Sequence, residues 1–128
     1  MLTLPSHQNE VCHVEKFVYQ VLSKFNVNQE IFGNVLISLT EAVNNAIIHG
    51  NGKDKRKKVQ VCFEKRGNGI AFQVSDEGEG FDFNNLPDPT APENLERCGG
   101  RGVFMMRQLC DDMRYTNNGR TVEMRFRI

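Results

Sequence analysis

The apolar residues of this chain change their spacing near residue 52, and that change limits the fold more than any other feature. Before it they recur at helical intervals. Val11, Val14, Phe17, Val18, Val21, Leu22 and Phe25 form one stripe; Phe32, Val35, Leu36, Leu39, Val43, Ala46 and Ile47 form a second. Steps of three and four residues put each set on one helix face. Asn28 stands where a cap for the second helix is needed. Gly50, Asn51 and Gly52 end that helix, as residues that tolerate positive φ. After a basic turn at 53–58 the period becomes two. Val59, Val61 and Phe63 alternate with other residues, Gly67-Asn68-Gly69 reverses the chain, and Ile70, Phe72 and Val74 make the partner strand. A short helix is expected at about 102–110, with Val103, Met106 and Leu109 inward. Two strands then close the chain, around 114–116 and 121–128, with Asn117-Asn118-Gly119 between them. In the last strand Val122, Met124, Phe126 and Ile128 face one way, and Glu123, Arg125 and Arg127 the other. Residues 1–4 read as a short edge strand.

Hairpins impose antiparallel pairing, and one face of the resulting sheet needs a cover that only the helices can give. The expected class is α/β, as an α+β two-layer sandwich: a mostly antiparallel mixed sheet with helices on one face. A length of 128 residues suits one domain spanning 1–128. The chain has 39% hydrophobic and 25% charged residues, the balance of a globular rather than a disordered protein. Lys+Arg and Asp+Glu both number 16, and a zero net charge argues against a general nucleic-acid binder. No apolar run approaches the roughly 20 residues of a membrane span, and the N-terminus lacks the parts of a signal peptide. Cys12, Cys62, Cys98 and Cys110 are scattered without a C-x-x-C pair, so they read as reduced thiols rather than a zinc site. A cytoplasmic protein without a membrane partner is expected.

Three polar clusters interrupt this pattern. In Thr40-Glu41-Ala42-Val43-Asn44-Asn45-Ala46-Ile47-Ile48-His49-Gly50, Glu41 and Asn45 are i,i+4 neighbours on the second helix and share a face. Glu41 alone would pass for a solvated carboxylate. Asn is a poor helix former, however, and Asn44-Asn45 in mid-helix need a reason. An amide oxygen can ligate Mg²⁺ beside phosphates and waters, and a nearby carboxylate can take a proton from an attacking hydroxyl. The second cluster, Asp76-Glu77-Gly78-Glu79-Gly80-Phe81-Asp82, follows a strand. An Asp at a strand end can accept from an adenine amino group, and Gly78 and Gly80 would let backbone approach a flat base. The plain alternative is an acidic turn. The third cluster, Gly99-Gly100-Arg101-Gly102, opens a helix whose free amides attract phosphate. Its plain alternative is a hinge. No G-K-[ST] follows, so it is not a P-loop.

In this order the clusters resemble the GHKL ATPase superfamily, which includes gyrase and the histidine kinases, and most closely its anti-sigma-factor serine kinase branch. The likeness covers nearly the whole chain, from Leu2-Thr3-Leu4-Pro5 through the helix text to residues 102–112. It implies the ATP-binding Bergerat fold with ATP and Mg²⁺ as cofactors. It implies Glu41 as catalytic base, Asn45 as Mg²⁺ ligand with Asn44 in the same pocket, and Asp76 as adenine reader over Gly78 and Gly80. Arg97, Gly100, Arg101 and Gly102 fall on the phosphate side, and His49 is given a packing or capping role. The family's reaction moves the ATP γ-phosphoryl group to a serine of an anti-anti-sigma protein. A sigma factor as partner and a homodimer are further implications. The competing expectation is a nucleotide-binding partner switch without kinase activity. Histidine kinases and ATPase clamps need a phosphoacceptor hairpin or transducer domains, for which 128 residues leave no room.

Residues 76–100 have little periodicity, and a loop that long is usually a lid or binding loop. The neutral total also hides an uneven layout. Residues 53–58 are almost all basic, whereas 67–96 hold no Lys or Arg and seven acids: Asp76, Glu77, Glu79, Asp82, Asp88, Glu93 and Glu96. An acidic loop beside a triphosphate needs Mg²⁺, helix amides and Arg97 to balance it.

Overall fold

Strand β1 (Leu2–Pro5) leads through a 3-10 turn (Gln8–Val11) into α1 (Cys12–Leu22), and α2 (Gln29–Asn45) follows. A π-turn (Ala46–Gly50) extends α2, the hairpin β2 (Lys58–Arg66) and β3 (Gly69–Ser75) comes next, and α3 (Gly100–Leu109), β4 (Asp112–Thr116) and β5 (Thr121–Arg127) complete the chain. This computed structural model describes residues 2–78 and 100–128, with residue 8 and residues 100–102 described by their backbone alone. The expected elements are all present, in the expected order. The short helix begins at Gly100, two residues earlier than its apolar spacing suggested.

The sheet has the order β1-β2-β3-β5-β4. Each of its pairings is antiparallel, so among the described residues the expected mixed component is absent. Pro5, which lacks an N–H, sits on the edge strand, where that loss is tolerated. The β2–β3 reversal is a two-residue turn whose first residue, Gly67, has φ 54°, as tight hairpins use. Asn117, Asn118 and Gly119 all adopt positive φ, which their short or absent side chains allow.

Register decides what is buried. Val61, Val74 and Val122 lie in one row across the central strands, and Phe63, Phe72 and Met124 in the next. Helices cover that face: Val14 and Val18 of α1, Val35, Leu39 and Val43 of α2 and Met106 of α3 have no exposed surface. The opposite face carries ion pairs instead. Arg66 bridges Glu64 and Glu123 at 2.9 and 2.8 Å, and Arg125 reaches Glu123 at 3.4 Å. Solvated pairs of this kind add little stability. They do keep that face polar.

The segment Gln29–Gly50 forms a continuous 22-residue helical stretch, within which an 18-residue window has a mean hydropathy of 1.4, long and apolar enough to cross a membrane by length and composition. No single apolar run in the sequence singles it out, because Glu30, Asn34, Glu41, Asn44 and Asn45 interrupt it. In the fold it is the central helix of the core. Asn28 caps it, its Oδ1 accepting from the Ile31 N–H at 2.9 Å.

Candidate functional site

The end of the central helix and the end of β3 meet at one point. Beyond Asn45 the helix widens, and the Asn51 N–H donates to the Ala46 carbonyl at 2.8 Å, five residues back. Such π-type turns often mark functional sites. The widening brings Gly50 against Asp76, the first residue after β3. A Cβ on Gly50 would overlap the Asp76 carboxylate, and a Cβ on Gly78 would overlap the Gly50 carbonyl. Gly50 thus serves close approach, not positive φ. Positive φ falls instead on Gly52 and Lys53, and Asn51 has φ −90°.

Asp76 is half-buried. Its Oδ1 accepts from the Gly78 N–H at 2.8 Å, and its own N–H donates to the Arg120 carbonyl at 2.9 Å. Burial pushes the carboxyl above its ordinary range, while the Gly78 N–H and the charges of Arg120 and Lys57 pull it back.

Two residues that the sequence does not mark as functional hold this loop. Asn51, 3% exposed, accepts from the Glu77 N–H at 2.7 Å and donates to Ser6 Oγ at 2.8 Å and the Lys58 carbonyl at 3.0 Å. Ser6 Oγ in turn donates to the Lys57 carbonyl at 2.6 Å. On the other side the Arg120 Nε–H donates to the Gly78 carbonyl at 2.6 Å. Asn51 reads in the sequence only as a helix stop, and Arg120 only as a residue after a turn. Their signal is long-range, spanning 26 and 42 residues, which local patterning cannot reveal.

Glu41 and Asn45 lie on the same side of α2, one turn apart and both half-buried. The Asn45 Nδ2 is buried without a hydrogen-bond partner. A buried amide left unpaired costs about 1–3 kcal/mol, so this one suits a site where a ligand completes it. Turning the amide by 180° would present Oδ1 there instead. An amide oxygen with phosphate oxygens and waters is a donor set that Mg²⁺ accepts, whereas a protein cage is not its usual site. Among the described residues no group of three His, Cys, Asp or Glu side chains gathers for a metal. Asn44 is also half-buried, and His49 is exposed at the end of the π-turn, so the packing role expected of it is not met.

Leu109, at the end of α3, shares a groove with Asn28, Ile31 and Asn34 at the start of α2. Gly100, Arg101 and Gly102 supply the first turn of α3, whose amides have no intrahelical partner. Gly80 and Arg97, and the loop 83–98, lie outside the described residues.

The histidine kinase-like ATPase domain family matches residues 4–126. The serine-protein kinase RsbW of Staphylococcus epidermidis is 28% identical over 131 aligned positions, covering 96% of this chain and 82% of that protein. RsbW of Bacillus subtilis (strain 168) is 26% identical over 130 positions, with 96% and 81% covered. The crystal structure of RsbU and RsbW domains from a Mycobacterium tuberculosis protein matches 98% of this chain with a TM-score of 0.65 at 18% identity, the chain spanning 32% of that protein. A histidine kinase domain from the blue-light activated kinase of Erythrobacter litoralis matches 96% of it with a TM-score of 0.58 at 17% identity, over 61% of that chain.

Proposed function

The chain belongs to the histidine kinase-like ATPase domain family, and on that footing we propose that it is a Mg²⁺- and ATP-dependent serine/threonine protein kinase. The observation that carries this reading is the buried, unpartnered Asn45 amide on the same helix side as Glu41. Asp76 accepts the adenine amino group, with Gly78 and Gly80 under the base. Asn45, beside Asn44, holds Mg²⁺, which when bound neutralises phosphate charge. The first-turn amides of α3 at Gly100, Arg101 and Gly102, together with Arg97, hold the phosphate end. Glu41 accepts the proton of a serine hydroxyl as its oxygen bonds to the γ-phosphorus and the bond to the ADP oxygen breaks. Most of the acceleration then comes from positioning and charge neutralisation.

The relatives named RsbW support the anti-sigma serine kinase branch. The acceptor in this reading is a serine of an anti-anti-sigma protein and the regulated partner is a sigma factor. The protein acts as one domain, as a homodimer, in the cytoplasm, without contacting nucleic acid or membrane. Calorimetric titration with Mg·ATP, followed by transfer from γ-labelled ATP to an anti-anti-sigma domain, tests it. Binding and transfer are expected. Absence of ATP binding would overturn the nucleotide reading, and binding without transfer would leave a nucleotide-dependent partner switch.

A further inference from the structure

Asp76 can distinguish bases only if its carboxylate stays fixed and ionised, and the residues that achieve this come from the far end of the chain. Arg120 stands at the entry to β5, half-exposed, and grips the Asp76 loop twice. Its carbonyl accepts the Asp76 N–H at 2.9 Å, and its Nε–H donates to the Gly78 carbonyl at 2.6 Å. The Gly78 N–H holds Asp76 Oδ1, so the guanidinium grips the carbonyl of the same residue whose N–H orients the carboxylate. We propose that Arg120 is the positioning residue that makes the site selective for a 6-amino purine over a 6-oxo purine. This rests on the reading of Asp76 as the base-contacting carboxylate.

The chemistry is one of donor against acceptor. An ionised carboxylate accepts from the adenine 6-amino group and faces a 6-oxo group with like polarity. A protonated carboxyl can donate to that oxygen, so protonation erodes the distinction. Burial favours the protonated form; the Gly78 N–H opposes it first, and the Arg120 charge next. Among the described residues the other groups facing Asp76 are few. Lys57, before β2, adds a weaker positive influence, Gly50 contributes only backbone, Glu77 is the titratable neighbour in sequence, and His49 adjoins Gly50. Among the described residues Arg120 is the cation that combines charge with a direct bond to the loop.

The test measures the affinity of Mg·ATP and Mg·ITP between pH 5.5 and 8 for the wild type, Arg120→Gln and Arg120→Lys. Arg120→Gln is expected to bind ATP about tenfold more weakly than wild type, with the loss larger and the preference for ATP over ITP narrower at the acid end than at pH 8. Arg120→Lys, which keeps the charge, is expected to follow the wild-type pH profile. If Arg120→Gln lacks a cooperative melt, Arg120→Ala takes its place. An equal loss at all pH values, or a profile superimposed on wild type, would overturn the proposal while leaving the ATP site standing. Failure of the wild type to bind ATP would overturn both.

Discussion

In the proposed site Asp76 meets two opposed demands, one from the fold and one from the ligand. Its raised pKa means that the folded state prefers the protonated carboxyl. The stability it contributes is therefore present below the unfolded pKa and is lost as pH rises through the folded one. At pH 7 the ionised form is a cost to the fold, accepted because an acceptor is needed there. Asp76→Asn removes that cost. Its Oδ1 would stay on the Gly78 N–H, so its Nδ2 would face the base amino group, donor against donor. The variant should melt higher than wild type at pH 7, with the gap closing toward pH 3, and bind ATP about ten- to a hundredfold more weakly. A lower melting temperature at pH 7 would refute the burial argument. Glu41→Gln keeps the shape and loses the proton acceptor. Phosphoryl transfer should drop by about 10²–10⁴ while Mg·ATP affinity stays within about twofold. An unchanged transfer rate would remove Glu41 from the role of base.

At the scale of elements, the site depends on how closely the π-turn and the end of β3 approach. Gly78→Ala would drive a methyl group into the Gly50 carbonyl, which is backbone and cannot turn aside. A loss of about 1–3 kcal/mol in urea unfolding is expected, with weakened ATP binding. Gly33, inside α2, offers the contrast, because nothing lies within 4 Å of the place a methyl group would take there. Gly33→Ala should stabilise by about 0.5–1 kcal/mol through helix propensity alone. Equal effects from the two substitutions would mean that close approach at Gly78 is not the controlling term. The same contrast separates what the sequence discloses from what it conceals. Period, caps and turn residues are local, so the order of helices and strands and the outward face of β5 are legible in it. The pairing of Glu41 with Asn45 is a helix repeat and is legible too. The π-turn, the Gly50–Asp76 contact and the grips of Asn51 and Arg120 depend on chain ends brought together by the sheet. No local pattern encodes them. Gly50 is the instructive case, since its position after the helix suggests a φ requirement, whereas the structure gives it a contact requirement.

The whole molecule is built around one helix. The stretch from Gln29 to Gly50 is capped at Asn28, buried through Val35, Leu39, Val43 and Ile47, and carries Glu41 and Asn45 in its second half. In the proposed site Asn45 belongs to the core helix and to the ligand pocket at once, and a ligand that completes its amide would act on the stability of the entire domain. Ligand binding stabilises by RT ln(1 + [L]/Kd), about 2.7 kcal/mol at a hundred times Kd. For a chain of this size that corresponds to a rise of roughly 10 °C in melting temperature with saturating Mg·ATP. Part of the rise should vanish when EDTA removes Mg²⁺, because adenine contacts at Asp76 survive without the metal while those at Asn45 do not. In Asn45→Ala the EDTA-sensitive part should be absent and the remainder kept. The variant without nucleotide should melt within a few degrees of wild type, since the amide it loses had no partner. An EDTA-sensitive rise of undiminished size in Asn45→Ala would place the metal elsewhere, and with it the phosphate end of the site.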